Sequence, residues 1–422
     1  MATGDLHIGN RSIWGQTFPF GISAANRRRH LYVIGQTGTG KSTLLRSLMA
    51  QDMAAGQGLA LIDPHGDLAL DVLDLVPPHR IDDVVFLDPS DLDHVVGFNP
   101  FYRVEPDEQA LVASNLVAAF RHVWADSWGP RLEYILYNAV AALLAAPDPL
   151  RPTFLAIPRL LVDPDYRRRV LMGVTDPRVQ SFFRDEFDHW GERQLAEALS
   201  PVQNKIGQVI SNPAVRNVLS QWHPRFDLDD AMQTRKILIV RLPKGTLGAD
   251  PANLLGSLLV AGLLQAAMRR ADPTTRVPFH LYIDEFQNFT TDAFASILSE
   301  ARKFAFTLTI GHQYLGQLTL PIRDAVLGNV GNIVAFRVGA DDAEVLSHEL
   351  GDFIAPVFRD LTRGEVIVRL TEDTNVTQAF RGAVDSPGGS LGTRPRAIAK
   401  SQRAHTRPRG DVEANIARWL SK

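Results

Sequence analysis

The chain of 422 residues has no cysteine. Disulfides, thiolate zinc sites, iron–sulfur clusters and cysteine nucleophiles are therefore excluded, and the composition fits a reducing compartment. It also lacks a charge excess: 44 Lys and Arg stand against 47 Asp and Glu, a net charge of −3. That excludes a histone-like binder of polyanions over the whole chain, but not a local basic groove. Long apolar runs are missing too. The most apolar stretch, 254–268, is interrupted by Ser257 and Gln265 and falls short of the roughly 20 residues that a membrane span needs. It reads as a buried helix. Residues 1–10 show no basic segment followed by an apolar one, so no signal peptide is expected. Together these absences predict a soluble cytoplasmic protein, with any place at the inner face of a membrane held through partners.

What is present is a sizeable apolar fraction, 45%, in a chain long enough for two or three domains or one large core with an insertion. Short, wholly apolar runs at 31–34, 59–63 and 84–88 alternate with helix signals, among them a helix from Ser42 to about Ala54. Such runs imply a parallel sheet covered on both faces. From 105 to 232 the strand signals stop. Asp163-Pro164, Asp176-Pro177 and Asn212-Pro213 each set a capping residue before a proline of a first helical turn. Leu132, Ile135, Leu136, Ala139 and Leu143 recur at helical spacing. Strands are then expected at 237–242, 279–284, 306–311 and 333–338, with an edge strand at 365–370 and helices at 251–270 and 292–303. The fold class is α/β, with a discontinuous sheet domain (1–104 and 233–380) interrupted by an all-α insertion (105–232). Residues 383–410 have no Phe, Trp or Tyr and carry six Lys and Arg against one Asp. The segment 381–422 is expected to be a disordered basic tail with a short terminal helix.

Gly35-Gln36-Thr37-Gly38-Thr39-Gly40-Lys41-Ser42 matches the phosphate-binding loop in full, between an apolar strand and a helix. Its glycines let backbone N–H groups converge on phosphates, and the helix adds its positive end. Gly35 to Ser42, with Thr43 beyond, are the expected nucleotide contacts. Lys41 is expected to reach the β- and γ-phosphates and the Ser42 hydroxyl to bind Mg²⁺, so ATP and Mg²⁺ are the expected ligands. The bland alternative is a glycine-rich turn with an exposed lysine. Leu281-Tyr282-Ile283-Asp284-Glu285 delivers two carboxylates at a strand's carboxyl end, where ligands bind in open α/β sheets. Asp284 would hold Mg²⁺, or cap a turn. Glu285 would orient and deprotonate water.

Arg302 allows two readings, a cation on a helix C-terminus or an arginine finger for a neighbouring subunit. Gln313, at a strand end, either senses a γ-phosphate or steadies a turn, and His312 reads as packing. Asp63 and Asp88 end strands on the same edge and could line the site or cap the next turn. The Arg27-Arg28-Arg29 run and Lys205 are weaker candidates for nucleic-acid contact, and solvated faces explain most such runs. The twelve histidines show no metal-ligand spacing.

The motifs occur in a telling order: Gly35 to Ser42, then Asp63-Pro64-His65-Gly66-Asp67, Ile283-Asp284-Glu285-Phe286, and Ala301-Arg302-Lys303 through Gly311-His312-Gln313. With the long helical block between them, the chain resembles the HerA/FtsK superfamily of RecA-like motor ATPases. Within it, the resemblance is greatest to the TraD/TraG-like coupling proteins of conjugation and type IV secretion. It covers roughly 25–370. It implies a RecA-like P-loop core, a hexameric ring with ATP between subunits, DNA in the central channel, and an all-α domain that helps select substrate. It also implies that Arg302 is the finger and Gln313 the γ-phosphate sensor, and that secretion-channel or relaxosome-like proteins are partners. Coupling proteins usually carry N-terminal membrane helices. Here the loop begins at residue 35, and none is expected before it. Two classes of function follow: a DNA-pumping ATPase of conjugation, repair or defence, or an assembly or secretion ATPase acting on a protein.

Overall fold

A computed structural model of the chain describes residues 5–270, 274–291, 294, 298–372 and 375–421. Its strands, in chain order, are β1 (Leu6–Ile13), β2 (Gln16–Ile22), β3 (Leu31–Ile34), β4 (Gly58–Asp63), β5 (Val84–Leu87), β6 (His94–Val96), β7 (Ile237–Arg241), β8 (Phe279–Ile283), β9 (Phe306–His312), β10 (Asn332–Ala335), β11 (Glu365–Arg369), β12 (Thr371–Glu372), β13 (Asn375–Val376), β14 (Phe380–Val384) and β15 (Thr406–Pro408). Eleven of them form one sheet in the order β2-β1-β14-β11-β10-β3-β9-β8-β4-β7-β5. From β10 to β5 every pairing is parallel. Strands β3, β4, β5 and β8 are buried along their whole length, which is why their sequences are continuous apolar runs rather than alternating ones.

The sheet extends beyond its parallel part. Strand β11 was expected at an edge. It is internal, antiparallel to both β10 and β14, and the hairpin β1–β2 continues the sheet past β14. The apolar stretch after residue 250 is the helix Ala249–Arg269. Among the described residues it is the one helix long and apolar enough to cross a membrane, and 78% of that apolar window is buried. The helix expected at 292–303 lies partly outside the described residues; 298–300 are helical and Ala301–Phe304 form a 3₁₀ turn.

The chain divides into two compact units. The sheet unit comprises Met1–Leu87, Asp227–Leu242 and Leu263–Arg403, and the helical unit comprises Asp88–Phe226, Pro243–Gly262 and Ala404–Lys422. In the helical unit Asp163, Asp176 and Asn212 each accept backbone N–H bonds at a helix start with proline behind them. Lys205 is buried there within the helix Glu192–Ser211 and is not offered to a ligand. In the sheet unit, Arg27 departs from the solvated basic run expected of it. Its guanidinium is buried against both carboxylate oxygens of Asp52, each 2.5 Å away, and donates to the Tyr282 hydroxyl at 2.8 Å.

The expectation of a disordered tail is corrected. Arg394–His405 is a helix, β15 pairs with β6 inside the helical unit, and Arg409–Leu420 is a second helix. Partners remote in sequence supply the order. Arg394 pairs with Asp74 at 2.6 Å and Lys400 with Asp82 at 2.9 Å. Ser401 Oγ accepts the Phe86 N–H, and Ala397 is fully buried.

Candidate nucleotide-binding and hydrolysis site

The loop 35–40 leaves the carboxyl end of β3 and enters helix α1 (Lys41–Ala54). Gly38 and Gly40 have φ of 79° and 126°, values that favour glycine. A Cβ on Gly35 would lie 2.5 Å from Phe336 Cβ, and one on Gly40 2.9 Å from Phe336 Cε1. Backbone bonds hold the loop: Gly35 N–H to the His312 carbonyl, Gln36 N–H to Arg337, and Gly364 N–H to Thr39. Thr39 Oγ1 donates to the Gln36 carbonyl at 2.7 Å. Lys41 is buried, and its Nζ donates to the Gly35 carbonyl at 2.5 Å. Burial lowers its pKa, against the upward pull of Glu285 and Asp284. Gln36, Thr37, Gly38 and Ser42 are exposed, and Thr43 is half-buried beside them.

Strand β8 ends at Ile283, so Asp284 and Glu285 emerge at the same carboxyl edge. Both are buried. Burial, Glu285 and Asp63 raise the Asp284 carboxyl to about 6, with Lys41 opposing them. Glu285 adopts a left-handed backbone, φ 49°, unusual for a non-glycine residue. Its two carboxylate oxygens accept bonds from Gln313 Nε2 at 2.8 Å and Gln287 Nε2 at 2.9 Å. Strand β9 lies between β3 and β8, so Gln313, just past its end, falls between the loop and the acidic pair.

His312 is fully buried and lies 3.0 Å from the Tyr32 hydroxyl. Burial and the nearby Lys41 push its pKa down to about 3, so it is neutral. Asp63 takes its capping role: its carboxylate accepts the His65 and Ala69 N–H groups, while its charge still reaches Asp284. Asp88 accepts the Ser90 N–H and hydroxyl in a turn.

Lys41, Asp284, Glu285 and Gln313 thus share one edge. Arg302 does not join them. It is exposed on the turn Ala301–Phe304 ahead of β9, and its charge is felt by His30, just before β3 begins. That is the opposite edge of the sheet from the loop. Sequence reasoning missed Gln287 as a second support of Glu285 and Phe336 as the wall behind the loop; both follow from tertiary placement alone.

The residues fit a magnesium nucleotide. The Ser42 hydroxyl and the Asp284 carboxylate are hard oxygen ligands, and Asp284 is buried near the carboxylates of Glu285 and Asp63, whose charge a cation would offset. Among the described residues no group of three or more His, Cys, Asp or Glu could hold a metal ion alone. Mg²⁺ usually completes its shell with phosphate oxygens and water.

Residues 6–92 match the family described as "Helicase HerA, central domain". Solved structures with a similar fold include the unbound bacterial conjugative coupling protein TrwBΔN70, with a TM-score of 0.63 at 16% identity over 94% of this chain and 91% of that one. TrwB in complex with ADP and Mg²⁺ gives 0.61 at 16% identity, covering 90% of each chain. VirB4 of Thermoanaerobacter pseudethanolicus gives 0.62 at 13% identity over 92% of this chain and 97% of that one. No curated protein matches by sequence. At these identities the structural likeness is one of fold, and the matched segment 6–92 contains the phosphate loop. The chain thus has the fold of these coupling proteins, and its phosphate loop lies within the segment that matches the HerA central domain.

Proposed function

We propose that the protein hydrolyses ATP at the interfaces of a homo-hexameric ring and uses it to move DNA, in a transfer process of the conjugation or type IV secretion kind. The observation that carries this reading is the buried Glu285 carboxylate, held by Gln313 and Gln287 between Lys41 and the acidic Asp284. Lys41 exchanges its loop carbonyls for the β- and γ-phosphates. Asp284 and Ser42 hold Mg²⁺, which when bound offsets phosphate charge. Glu285 accepts the proton of the attacking water. Gln313 spans from Glu285 to the γ-phosphate and reports its loss. Arg302, remote from its own site, serves the neighbouring subunit. Channel or relaxosome-like proteins are the expected partners, and the cytoplasm the expected location. The HerA match over 6–92 favours one second reading, a repair or defence translocase using the same chemistry.

Phosphate release with and without single- and double-stranded DNA, at about 50 mM salt, tests the reading. DNA is expected to stimulate turnover. Glu285→Gln is expected to keep nucleotide binding and lose about 10²–10⁴-fold in rate. Full activity in that variant removes Glu285 as the base, and absence of any turnover removes the reading.

A further inference from the structure

The turn Asp63-Pro64-His65-Gly66-Asp67 leaves the carboxyl end of β4, and the site described above uses only its first residue. Strand β4 is the neighbour of β8, with Ile62 opposite Ile283, and the Asp284 N–H donates to the Ile62 carbonyl. The turn therefore begins level with the acidic pair, on the same edge as the phosphate loop. Several bonds fix its course. The Asp63 carboxylate accepts the His65 and Ala69 N–H groups, each at 2.9 Å, and the Asp63 carbonyl accepts the Leu242 N–H at 2.8 Å. Gly66, φ 93°, makes the bend, and its carbonyl accepts Arg241 Nε at 3.2 Å. The result buries Pro64 and leaves His65 exposed. The His65 backbone is engaged, yet its ring makes no hydrogen bond among the described residues. The ring is nonetheless close enough to Asp284 for its charge to act on that carboxyl.

We propose that His65 is a positioning residue for the metal of the nucleotide: its ring nitrogen accepts a hydrogen bond from a water in the Mg²⁺ shell. The proposal rests on the ATPase reading and adds to it a partner outside the first ring of ligands. Mg²⁺ keeps several waters when it binds through carboxylates and phosphates. Those waters turn their lone pairs to the cation and their hydrogens outward, so they are steadied by acceptors around them. The carboxylate oxygens nearby are partly spent. Those of Asp63 accept His65 and Ala69 N–H groups, and those of Glu285 accept Gln313 and Gln287. An imidazole nitrogen is an acceptor that nothing else on this edge has claimed. The plain alternative is a solvated turn residue, whose replacement would change nothing.

The test uses the full chain and a fluorescent, non-hydrolysable ATP analogue, titrated in EDTA and across a Mg²⁺ series. Wild-type protein is expected to bind the analogue more tightly in Mg²⁺. His65→Ala is expected to match the wild type in EDTA and to need about tenfold more Mg²⁺ for the tight form. His65→Gln keeps an acceptor and is expected to retain most of the wild-type response. His65→Arg keeps a charge but offers donors only, and is expected to behave as His65→Ala does. Turnover is expected to fall in the same order and to recover at high Mg²⁺. The thermal midpoint without nucleotide is expected to stay unchanged, because the side chain is exposed. The proposal is overturned by a wild-type Mg²⁺ dependence in His65→Ala, by a wild-type response in His65→Arg, or by equal loss of binding in EDTA and in Mg²⁺. Absence of any binding by the wild type removes the ATPase reading and the proposal together.

Discussion

Asp284 shows how the site's chemistry is stored in one residue. Its carboxyl is raised from 3.8 in the open chain to about 6, chiefly by burial. Between about pH 4 and pH 6 the unfolded chain releases this proton and the folded chain keeps it. Stability contributed by the neutral form is therefore complete below pH 4 and lost as pH rises through 6, by about 3 kcal/mol. Asp284→Asn is expected to stabilise the nucleotide-free protein at pH 7 by an amount of that order and to remove this loss from thermal unfolding measured at several pH values. Magnesium nucleotide is expected to remove it from the native protein, because a cation offsets the buried charge. A variant melting with the native pH profile would show that Asp284 is already ionised. Ser42 and Glu285 could be singled out in the linear sequence because motif spacing marks them. The Lys41 bonds to the loop carbonyls could not, since they depend on how the loop closes.

Among the elements, helix α1 links the loop to strand β8. Asp52, in its last turn, accepts bonds from Arg27, ahead of β3, and from the Tyr282 hydroxyl on β8, the strand that delivers Asp284. All three side chains are buried. Removing one charge strands the other, so Asp52→Ala is expected to cost about 3–5 kcal/mol in denaturant unfolding. Replacing both members with apolar residues of similar volume is expected to cost much less. Equal losses in single and double variants would contradict this account. The parallel strands were legible because burial on both faces writes itself as unbroken apolar runs. Strands β1, β2 and β14 were not. They mix exposed polar residues with glycines, and Gly9 and Gly21 let the backbones approach where a Cβ would collide. The helix Arg394–His405 was misread for another reason. Its basic side chains look like those of a free tail until Asp74 and Asp82, more than 300 residues earlier, are placed beside them.

For the whole molecule, the position of Arg302 turns catalysis into a question of assembly. Arg302 lies at the edge of the sheet opposite its own phosphate loop, so a finger role would have to be played in a neighbouring subunit. Arg302→Ala is expected to bind nucleotide normally and to lose about 10³–10⁵-fold in turnover. Mixing Arg302→Ala with Lys41→Ala subunits is expected to restore some sites, measured as phosphate release against mixing ratio. No recovery at any ratio would leave Arg302 as a helix-end cation. The partition of the chain has a further effect. Unit boundaries fall at Leu87, Phe226, Leu242, Gly262 and Arg403, so the polypeptide passes from one unit to the other five times. Neither body can be cut out as a single stretch of gene. During synthesis, the helical body waits for Thr406–Pro408, more than 300 residues after β6, to supply the partner of that strand. A nascent chain thus cannot finish either half early, and an incomplete one leaves apolar core residues uncovered for quality control to recognise.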